Sequence, residues 1–527
     1  MRIQLLPALI VSGVLLIAPL LAIAAETSEI HFQNETTLTL NGVSGAGANQ
    51  STLTQNHAYE NTLNLNMHSD TLYMNLGGIV TDDRTADPKT VSLSNFQIRK
   101  TMGNSVLNLG DTFESCSQYG LGSSLKGASF HYQKTGTKSP ELTLVGGYAY
   151  PQWANFSADQ DVKTIRRTAY GFNLKQDLSE TWMAGLHFLK TNDSDRINTT
   201  DPLYNGSIYS VYWAYKPFDG LAVTGESAFS QTSESPSDGV TDQRYSGSAH
   251  KVAFAGEGGP YRVNLDYERV SPNFLSVLGA ATADREKVKF KLREKLTTDT
   301  SVTYGLLWYH DNLDGQQVCT TDHYKPEITW VKRRLFGKKS ASGDVSYKLD
   351  YASGGGQKTT DHFLDFGYRD RFGRIDSDTK LGFVSYSTNG GVRKSNEFTL
   401  NTSFSSRYTI GNYTWKPIVE LGTWHSRDEL TDQNDRTWEA AVGSGLDIPN
   451  LNIVSSFKVG CHQLLQTVGD NTRRTFARVD INHRLNAKEG TVERSLFLRW
   501  YLNDYNCTDN TKIFTENSLV AGMDFRY

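Results

Sequence analysis

Apolar and polar residues alternate along most of the chain. Residues 62–67 alternate strictly, residues 68–70 form a polar break, and the alternation resumes with Leu72, Met74 and Leu76. A period of two places successive side chains on opposite faces of a strand, and a short polar break between two such runs is typical of a β-hairpin. The sequence therefore predicts a hairpin over residues 62–76.

The same alternation carries charge in later segments. On one predicted strand, apolar residues alternate with Lys287, Lys289, Lys291 and Arg293. On another, they alternate with Arg478, Asp480 and Arg484. Helical periodicity is not found in the chain beyond residue 25, so the pattern predicts an all-β protein.

The connections between the predicted strands alternate in length. Short turns are predicted near 102–104, 177–180, 218–220, 258–260, 410–412 and 448–450. Longer polar loops are predicted near 42–57, 111–123, 151–165, 191–205, 232–246, 271–283, 311–323, 425–435 and 504–515. Short periplasmic turns and longer extracellular loops are the organisation of outer-membrane barrels.

Counting the segments predicts a transmembrane antiparallel up-and-down β-barrel of about 26 strands, within a range of about 22–26. Two segments leave the number open. Residues 104–110 form a short strand, and Pro417 interrupts another strand, where it has no N–H to donate to a ladder. An even number of strands places both chain ends in the periplasm.

The first residues resemble an export signal. Arg2 gives a positive start, residues 5–21 are almost wholly apolar, and residues 22–24 have the small-x-small pattern of a cleavage site. A single membrane anchor is the alternative, but Pro7 and Pro19 argue against it. The predicted organisation is a cleaved signal peptide over residues 1–24 and a barrel over residues 25–527.

The last strand resembles the assembly signal of bacterial outer-membrane β-barrels. It alternates apolar and polar residues, contains Gly522 and ends on Phe525 and Tyr527. The resemblance implies that the outer-membrane assembly machinery is a partner, with outer-membrane lipid and lipopolysaccharide as the surroundings.

Composition fits a barrel wall. Hydrophobic residues are 38% of the chain and aromatic residues 11%, with only 13 prolines in 527 residues. Only alternate residues of a barrel strand touch lipid, so a modest hydrophobic content still satisfies a bilayer. The net charge of −4 gives no reason to expect a nucleic-acid partner.

The four cysteines fall at the predicted extracellular end. They are Cys116, Cys319, Cys461 and Cys507. Exported proteins can form disulfides, so a Cys461–Cys507 bridge is possible and leaves Cys116 with Cys319, although sequence alone does not fix the pairing. A metal site is the rival interpretation, but Cys-x-x-Cys spacing is absent. No cofactor of the chain's own is expected.

The lumen is expected to be polar. The alternation assigns to it the residues Lys287, Lys289, Lys291, Arg293, Asp365, Arg369, Arg478, Asp480, Arg484 and Arg499. A basic row could face an anionic solute or the acidic surface of a partner. Because acidic residues are interspersed, we expect instead the mixed-sign interior of an ordinary barrel, since an anion-selective pore needs several positive strands side by side.

Barrel size leads to the predicted function. About 26 strands enclose a cylinder roughly 50 Å across between backbones. The predicted loops are too short to cover that opening, and we find no segment long enough for a plug domain. Residues 267–279 could fold inward as a constriction, but an ordinary ordered loop is the expectation. An open barrel of this size implies a partner protein inside.

This architecture resembles the porin partners of extracellular electron conduits, in which a wide barrel sheathes a multihaem cytochrome or a similar lipoprotein. The resemblance implies a structural, insulating role. One alternative is a general diffusion porin, which requires fewer strands or inward loops. A weaker resemblance to fimbrial ushers rests on residues 109–113 and 124–127 and implies a protein exporter.

Catalysis is not expected. The 12 histidines are scattered, and neither Gly-x-Ser-x-Gly nor His-Glu-x-x-His occurs. The sequence therefore assigns no catalytic, cofactor-binding or metal-binding residue.

Overall fold

The computed structural model describes residues 29–527 except 54–56, 85, 88, 115–116, 134–138, 157–162, 238–240 and 486–492. The predicted signal peptide lies outside the described residues and stays a prediction. The strands are β1 (Glu29–Ser44), β2 (His57–His68), β3 (Leu72–Thr81), β4 (Val91–Met102), β5 (Ser105–Thr112), β6 (Leu125–Gln133), β7 (Glu141–Tyr148), β8 (Thr164–Asp177), β9 (Trp182–Ile197), β10 (Leu203–Phe218), β11 (Leu221–Ser235), β12 (Gln243–Gly258) and β13 (Tyr261–Val270).

The second half of the chain continues in the same way. Its strands are β14 (Arg285–Lys295), β15 (Thr300–Asp311), β16 (Asp322–Arg333), β17 (Ser342–Gly354), β18 (Gln357–Phe372), β19 (Ile375–Thr388), β20 (Arg393–Ser406), β21 (Tyr408–Ile410), β22 (Tyr413–Asp428), β23 (Gln433–Ile448), β24 (Ile453–Leu465), β25 (Thr472–Arg484), β26 (Glu493–Cys507) and β27 (Phe514–Arg526). Short 3-10 turns lie at Ala48–Gln50, Trp153–Phe156, Leu335–Gly337, Asn389–Gly391, Pro449–Leu451 and Asn510–Lys512. Within the described ranges, no helix has the length and apolar character needed to cross a membrane.

The sheet closes on itself. Apart from β20 and β21, which do not pair with each other, every strand pairs antiparallel with its neighbours in sequence, and β1 pairs with both β2 and β27. Across the closing seam Leu38 lies opposite Ala521, and Phe32 exchanges both backbone hydrogen bonds with Tyr527, at 2.9 and 2.8 Å. Closure leaves no unpaired sheet edge, which is the condition for crossing lipid with strands.

Pro417 explains why 27 segments form 26 strands. Ser405 pairs with Ile418 and Tyr408 pairs with Trp415, so β20 and β21 are one strand broken at Arg407. The break lies opposite Pro417, which has no N–H to donate there. On its other side Pro417 stays in register with Ser444. The predicted closed barrel of about 26 strands is thus confirmed at 26.

The outer face of the wall is apolar. Leu186 on β9 is 49% exposed, whereas the next residue, His187, is 2% exposed on the other face. The exposed apolar residues of β7 to β13 include one from each strand: Leu144, Phe172, Leu186, Val211, Phe229, Val252 and Leu265. An outward apolar band on a closed antiparallel barrel is the lipid-contacting surface of bacterial outer-membrane proteins. The chain is a transmembrane barrel of that membrane.

The strands extend further than the sequence predicted. Connections at the end with the chain termini include the two-residue turns 103–104, 219–220, 259–260, 373–374 and 411–412. At the other end the predicted loops near 191–205, 232–246 and 425–435 shorten to 198–202, 236–242 and 429–432. One cause lies on β9, where Asp193 forms an ion pair with Arg167 of β8 at 2.7 Å. Such cross-strand charge pairs allow polar segments to continue the ladder.

Candidate functional site: the lumen wall

The candidate site is the face of the wall that looks away from lipid. All ten predicted lumen charges alternate with apolar residues of the outer face on their own strands. On β18, for example, Asp365 and Arg369 alternate with Phe366, which is 41% exposed. On β26, Arg499 follows Leu498, which is 37% exposed.

The basic row on β14 is partly neutralised by β13. Lys287 forms an ion pair with Glu268 at 2.5 Å, and Lys289 lies opposite Asp266. The remaining members, Lys291 and Arg293, lie further along the same face of β14. Elsewhere Arg369 pairs with Asp378 at 2.9 Å. Charges of opposite sign thus meet across neighbouring strands.

Two loops fold into the lumen. The first inward loop is residues 113–124, whose described residues are 113–114 and 117–124, and the second inward loop is residues 271–284. Tyr119 and Leu121 of the first loop are 0% exposed, and Phe274 of the second is 2% exposed. The expectation of an ordinary outer loop near 267–279 was therefore wrong.

An apolar stripe on the inner wall receives both loops. It takes one buried residue from each of seven consecutive strands: Val145, Ala169, Leu189, Ile208, Ala228, Ala249 and Val270. Tyr119 and Phe274 pack on the second part of the stripe, with their rings 5.7 Å apart, edge to face. Burial of these side chains against the wall supplies a hydrophobic anchor of about 1.5–3 kcal/mol per large residue.

Small residues permit this close approach. A Cβ atom at Gly247 of β12 would lie 2.3 Å from the backbone nitrogen of Phe274, and one at Gly120 would lie 2.1 Å from Nε2 of His187. The sequence predicted both loops but not their inward fold, because the first loop contacts wall residues that are distant from it in the chain. The one available signal was the run of small lumen-facing residues on β11 and β12.

A polar network pins the first inward loop to β12, β13 and β14. Glu268 accepts hydrogen bonds from Gln118 at 2.7 Å and from the Tyr119 hydroxyl at 3.0 Å. Lys251 donates to Gln118 at 2.8 Å, and Lys287 pairs with the other oxygen of Glu268. Burial and the adjacent Glu268 carboxylate raise the pKa of Tyr119, so its hydroxyl stays a donor.

The two loops also bind each other. The backbone of Ala280 donates to Gln118 at 2.8 Å, and that of Gly122 donates to Leu278 at 2.8 Å. Leu275 is fixed to the wall by hydrogen bonds with Ser230 and Thr232, both at 3.1 Å. The loops therefore form one ordered layer on the wall of β7 to β13.

An ion pair on the outer face was also missed. Lys126 pairs with Asp111 and is 6% exposed, although both side chains share the lipid-facing register of β5 and β6. Trp153 covers the pair: its indole N–H donates to Asp111 at 2.9 Å, and Lys126 lies 5.4 Å from the ring centroid. Phe156 stacks on Trp153 at 5.5 Å. Asp111 thus anchors the loop after β7.

The predicted Cys461–Cys507 bridge is not present. Cys319, Cys461 and Cys507 form no disulfide with one another, and Cys116 lies outside the described residues. Cys461 shares the lipid-facing register of Phe457, whereas Cys507 shares the lumen-facing register of Arg499 two strands away. Two strand spacings are about 10 Å, beyond the reach of a disulfide. The pairing of Cys116 with Cys319 stays a prediction.

The predicted assembly signal lies at the closing seam. Gly522 faces the lumen beneath Phe497, and a Cβ there would lie 2.2 Å from the ring. Phe525 faces outward, 5.8 Å from the guanidinium of Arg494, and Tyr527 is 65% exposed. Recognition of these residues by assembly machinery stays a prediction.

Within the part of the chain that the structure describes, no cluster of three or more His, Cys, Asp or Glu side chains is arranged to hold a metal ion.

Comparison with known proteins identifies distant structural neighbours. No protein-family model and no curated protein matches the sequence. The P pilus usher (PapC) translocation pore is similar over 94% of this chain and 99% of its own, at 9% identity and a TM-score of 0.43. The outer membrane transporter YddB from Escherichia coli is similar over 95% of this chain and 81% of its own, at 9% identity and a TM-score of 0.45. OccAB4 of Acinetobacter baumannii is similar over 67% of this chain and 98% of its own, at 10% identity and a TM-score of 0.29.

Proposed function

We propose that this outer-membrane barrel is a wide channel whose lumen houses a partner protein, with a multihaem cytochrome as the specific candidate. The observation that supports the proposal is the one-sided position of the inward loops. They are pinned to the wall of β7 to β13 through Tyr119, Phe274 and Glu268. Among the described residues, no buried apolar cluster joins a loop to the opposite wall, which leaves that part of the lumen to another occupant.

The dimensions support this proposal. A ring of 26 strands is about 50 Å across between backbones. Opposite the inward loops, the connections at the outer end include 355–356, 389–392, 429–432 and 466–471. Even the longest of these connections, 466–471, spans at most about 22 Å when fully extended and must return to the neighbouring strand, so none of them bridges the opening.

A folded domain fits the remaining space. A compact domain of about 100 residues has a radius of gyration of about 13 Å. The lumen wall offers such a guest a polar surface with charges of both signs, such as Lys325 paired with Asp350 at 2.6 Å. The outer apolar band would separate redox groups of the guest from the lipid.

The experiment is mild detergent extraction of the tagged chain from its native membrane. Co-purifying chains are then identified by mass spectrometry, and haem is detected by staining. A fixed ratio of a haem protein to the barrel supports the full proposal. A fixed ratio of a haem-free partner retains the sheath and removes the cytochrome.

A diffusion porin is the second candidate, and the inward loops favour it because they narrow the passage. In that case the barrel is extracted without a stoichiometric partner. It also opens stable pores in planar bilayers when it is added alone. Both results together would overturn the sheath.

A further inference from the structure

We propose that the lumen face of β24 to β26 is a binding site for small multivalent oxyanions, carrying carboxylates or phosphates. The site is the basic arc, defined as Lys458, Arg474, Arg478 and Arg499. This inference goes beyond the proposed function, because the arc belongs to the wall itself and does not depend on a partner.

One phenyl ring organises three of the four cations. Phe476 is 6% exposed, and around its centroid lie Lys458 at 5.9 Å, Arg474 at 5.5 Å and Arg478 at 5.6 Å. Cations within about 6 Å of an aromatic face are held by the ring quadrupole. Three positive side chains that would repel each other are therefore kept together around one ring.

The ring is itself fixed by a glycine. A Cβ at Gly460, directly opposite Phe476, would lie 2.5 Å from the tip of the ring. With no side chain at Gly460, the ring lies against the wall instead of pointing into the lumen. The neighbouring strand repeats the arrangement, since Phe497 covers Gly522 and Arg499 lies 4.7 Å from the Phe497 ring.

The arc is positive over three adjacent strands. Arg478 lies opposite Lys458 on one side and Tyr501 on the other. The lumen-facing registers of β24 to β26 hold five basic residues and two acidic ones, for a net formal charge of +3. The five are Lys458, Arg474, Arg478, Arg484 and Arg499, and the two are Asp480 and Glu493. The sequence did not predict adjacent positive strands, because Lys458 and Arg474 escaped notice.

Only part of this charge is neutralised within the wall. Lys458 forms an ion pair with Glu420 of β22. Arg478 and Arg499 are exposed to the lumen, and neither forms an ion pair among the described residues, although Arg499 lies directly opposite Asp480. The Nε atom of Arg474 is buried and has no hydrogen-bond partner within the same described set. A buried donor of this kind favours an added acceptor.

These features select the ligand class. An arginine that stacks on a ring through its planar face keeps its N–H donors at the edge of that plane, where carboxylate and phosphate oxygens bind. Because the cations are spread around one ring, a single carboxylate reaches only part of the set. A compact anion with two or more charged groups reaches several of them at once.

The test measures binding of citrate and of inorganic pyrophosphate to the detergent-solubilised barrel by calorimetry. The buffer contains 0.15 M KCl, which screens diffuse surface charge beyond about 8 Å. The variant is Arg478→Gln/Arg499→Gln. The matched control is Lys289→Gln/Lys291→Gln, which removes the same charge from the lumen on β14.

We expect saturable binding to the native barrel, an affinity at least tenfold lower in the arc variant, and an affinity within twofold of native in the control. Binding of citrate alone would show that the site recognises carboxylates, and binding of pyrophosphate alone would show that it recognises phosphates. Binding of both would show that it recognises multivalent anions of either kind. Each of these three results supports the site. No saturable binding of either anion, or equal losses in the two variants, would overturn it.

A second double variant tests the site if the first one fails to fold. If Arg478→Gln/Arg499→Gln does not fold, Arg478→Lys/Arg499→Lys retains the charge and removes the two-pronged guanidinium. We expect this variant to bind the same anion at least threefold more weakly. Unchanged affinity would show that bulk lumen charge is sufficient and that the site is not built as proposed.

Discussion

Two lumen-facing glycines are each covered by a phenyl ring from the neighbouring strand. Phe497 covers Gly522 and Phe476 covers Gly460, in each case closer than any Cβ would permit. A glycine weakens an isolated strand, but here the uncovered backbone receives a ring from the neighbouring strand. Gly522 therefore has a packing role within the wall as well as its place in the predicted assembly signal.

Gly522→Val is expected to destabilise the barrel by about 1–3 kcal/mol, because the added carbons must displace Phe497. The measurement is the temperature at which the folded band is lost in heat-modifiability gels, with purified protein refolded in detergent. The control is Gly305→Val on β15, where a Cβ lies 3.5 Å from its nearest neighbour. Equal losses of stability in the two variants would contradict this role of Gly522.

Asp111→Asn is expected to leave Lys126 charged and nearly buried without its partner. Breaking a buried ion pair in this way costs about 3–5 kcal/mol. We expect the loop after β7 to become sensitive to protease in whole cells. In the control Asp111→Asn/Lys126→Met, the charge is removed as well, and resistance should return. If the single variant is as resistant as native protein, the pair does not anchor the loop.

The inward loops are the main feature at the element scale. The alternating pattern predicted the strands and their number because each strand carries its own period of two. It did not predict that the loops fold inward, because Ala228, Gly247 and Ala249 become neighbours only through the register of β11 and β12. The possible Cys461–Cys507 disulfide could have been rejected from the sequence. Phe457 and Cys461 are four residues apart on one strand, so their side chains lie on the same, lipid-facing side.

Tyr119→Ala is expected to release the first inward loop, since it removes both the ring contact with Phe274 and the hydrogen bond to Glu268. The measurement is single-channel conductance in planar bilayers, which should rise and become noisier. The control is Phe336→Ala, in a turn at the opposite end of the barrel where the ring is 83% exposed. Conductance identical to that of the native barrel would mean that the loop does not limit the passage.

Closure of the sheet is the decisive property at the scale of the whole molecule. The strand count followed from the sequence, but the pairing of β1 with β27 is a contact between opposite ends of the chain that no local pattern specifies. Its register is now defined residue by residue, with Thr36 opposite Met523 and Leu40 opposite Leu519.

The pair Leu38→Cys/Ala521→Cys is expected to form a disulfide across the seam when the native cysteines are replaced by serine and an oxidant is added. Directly opposed residues of antiparallel strands lie within disulfide range. The readout is retention of the folded gel mobility after heating without reductant. The control pair Leu38→Cys/Leu519→Cys is offset by two residues and should cross-link far less. Preferential cross-linking of the offset pair would contradict the register.

The ordered layer on β7 to β13 gives the lumen a thick side and a thin side. A uniform ring of strands would present nearly the same surface to a guest at every rotation about the barrel axis. The layer built around Tyr119 and Phe274 removes that equivalence. The layer therefore fixes the orientation of any large guest about the barrel axis. In that orientation the shape of the guest matches the wall, and each of its other faces is directed toward a fixed set of strands.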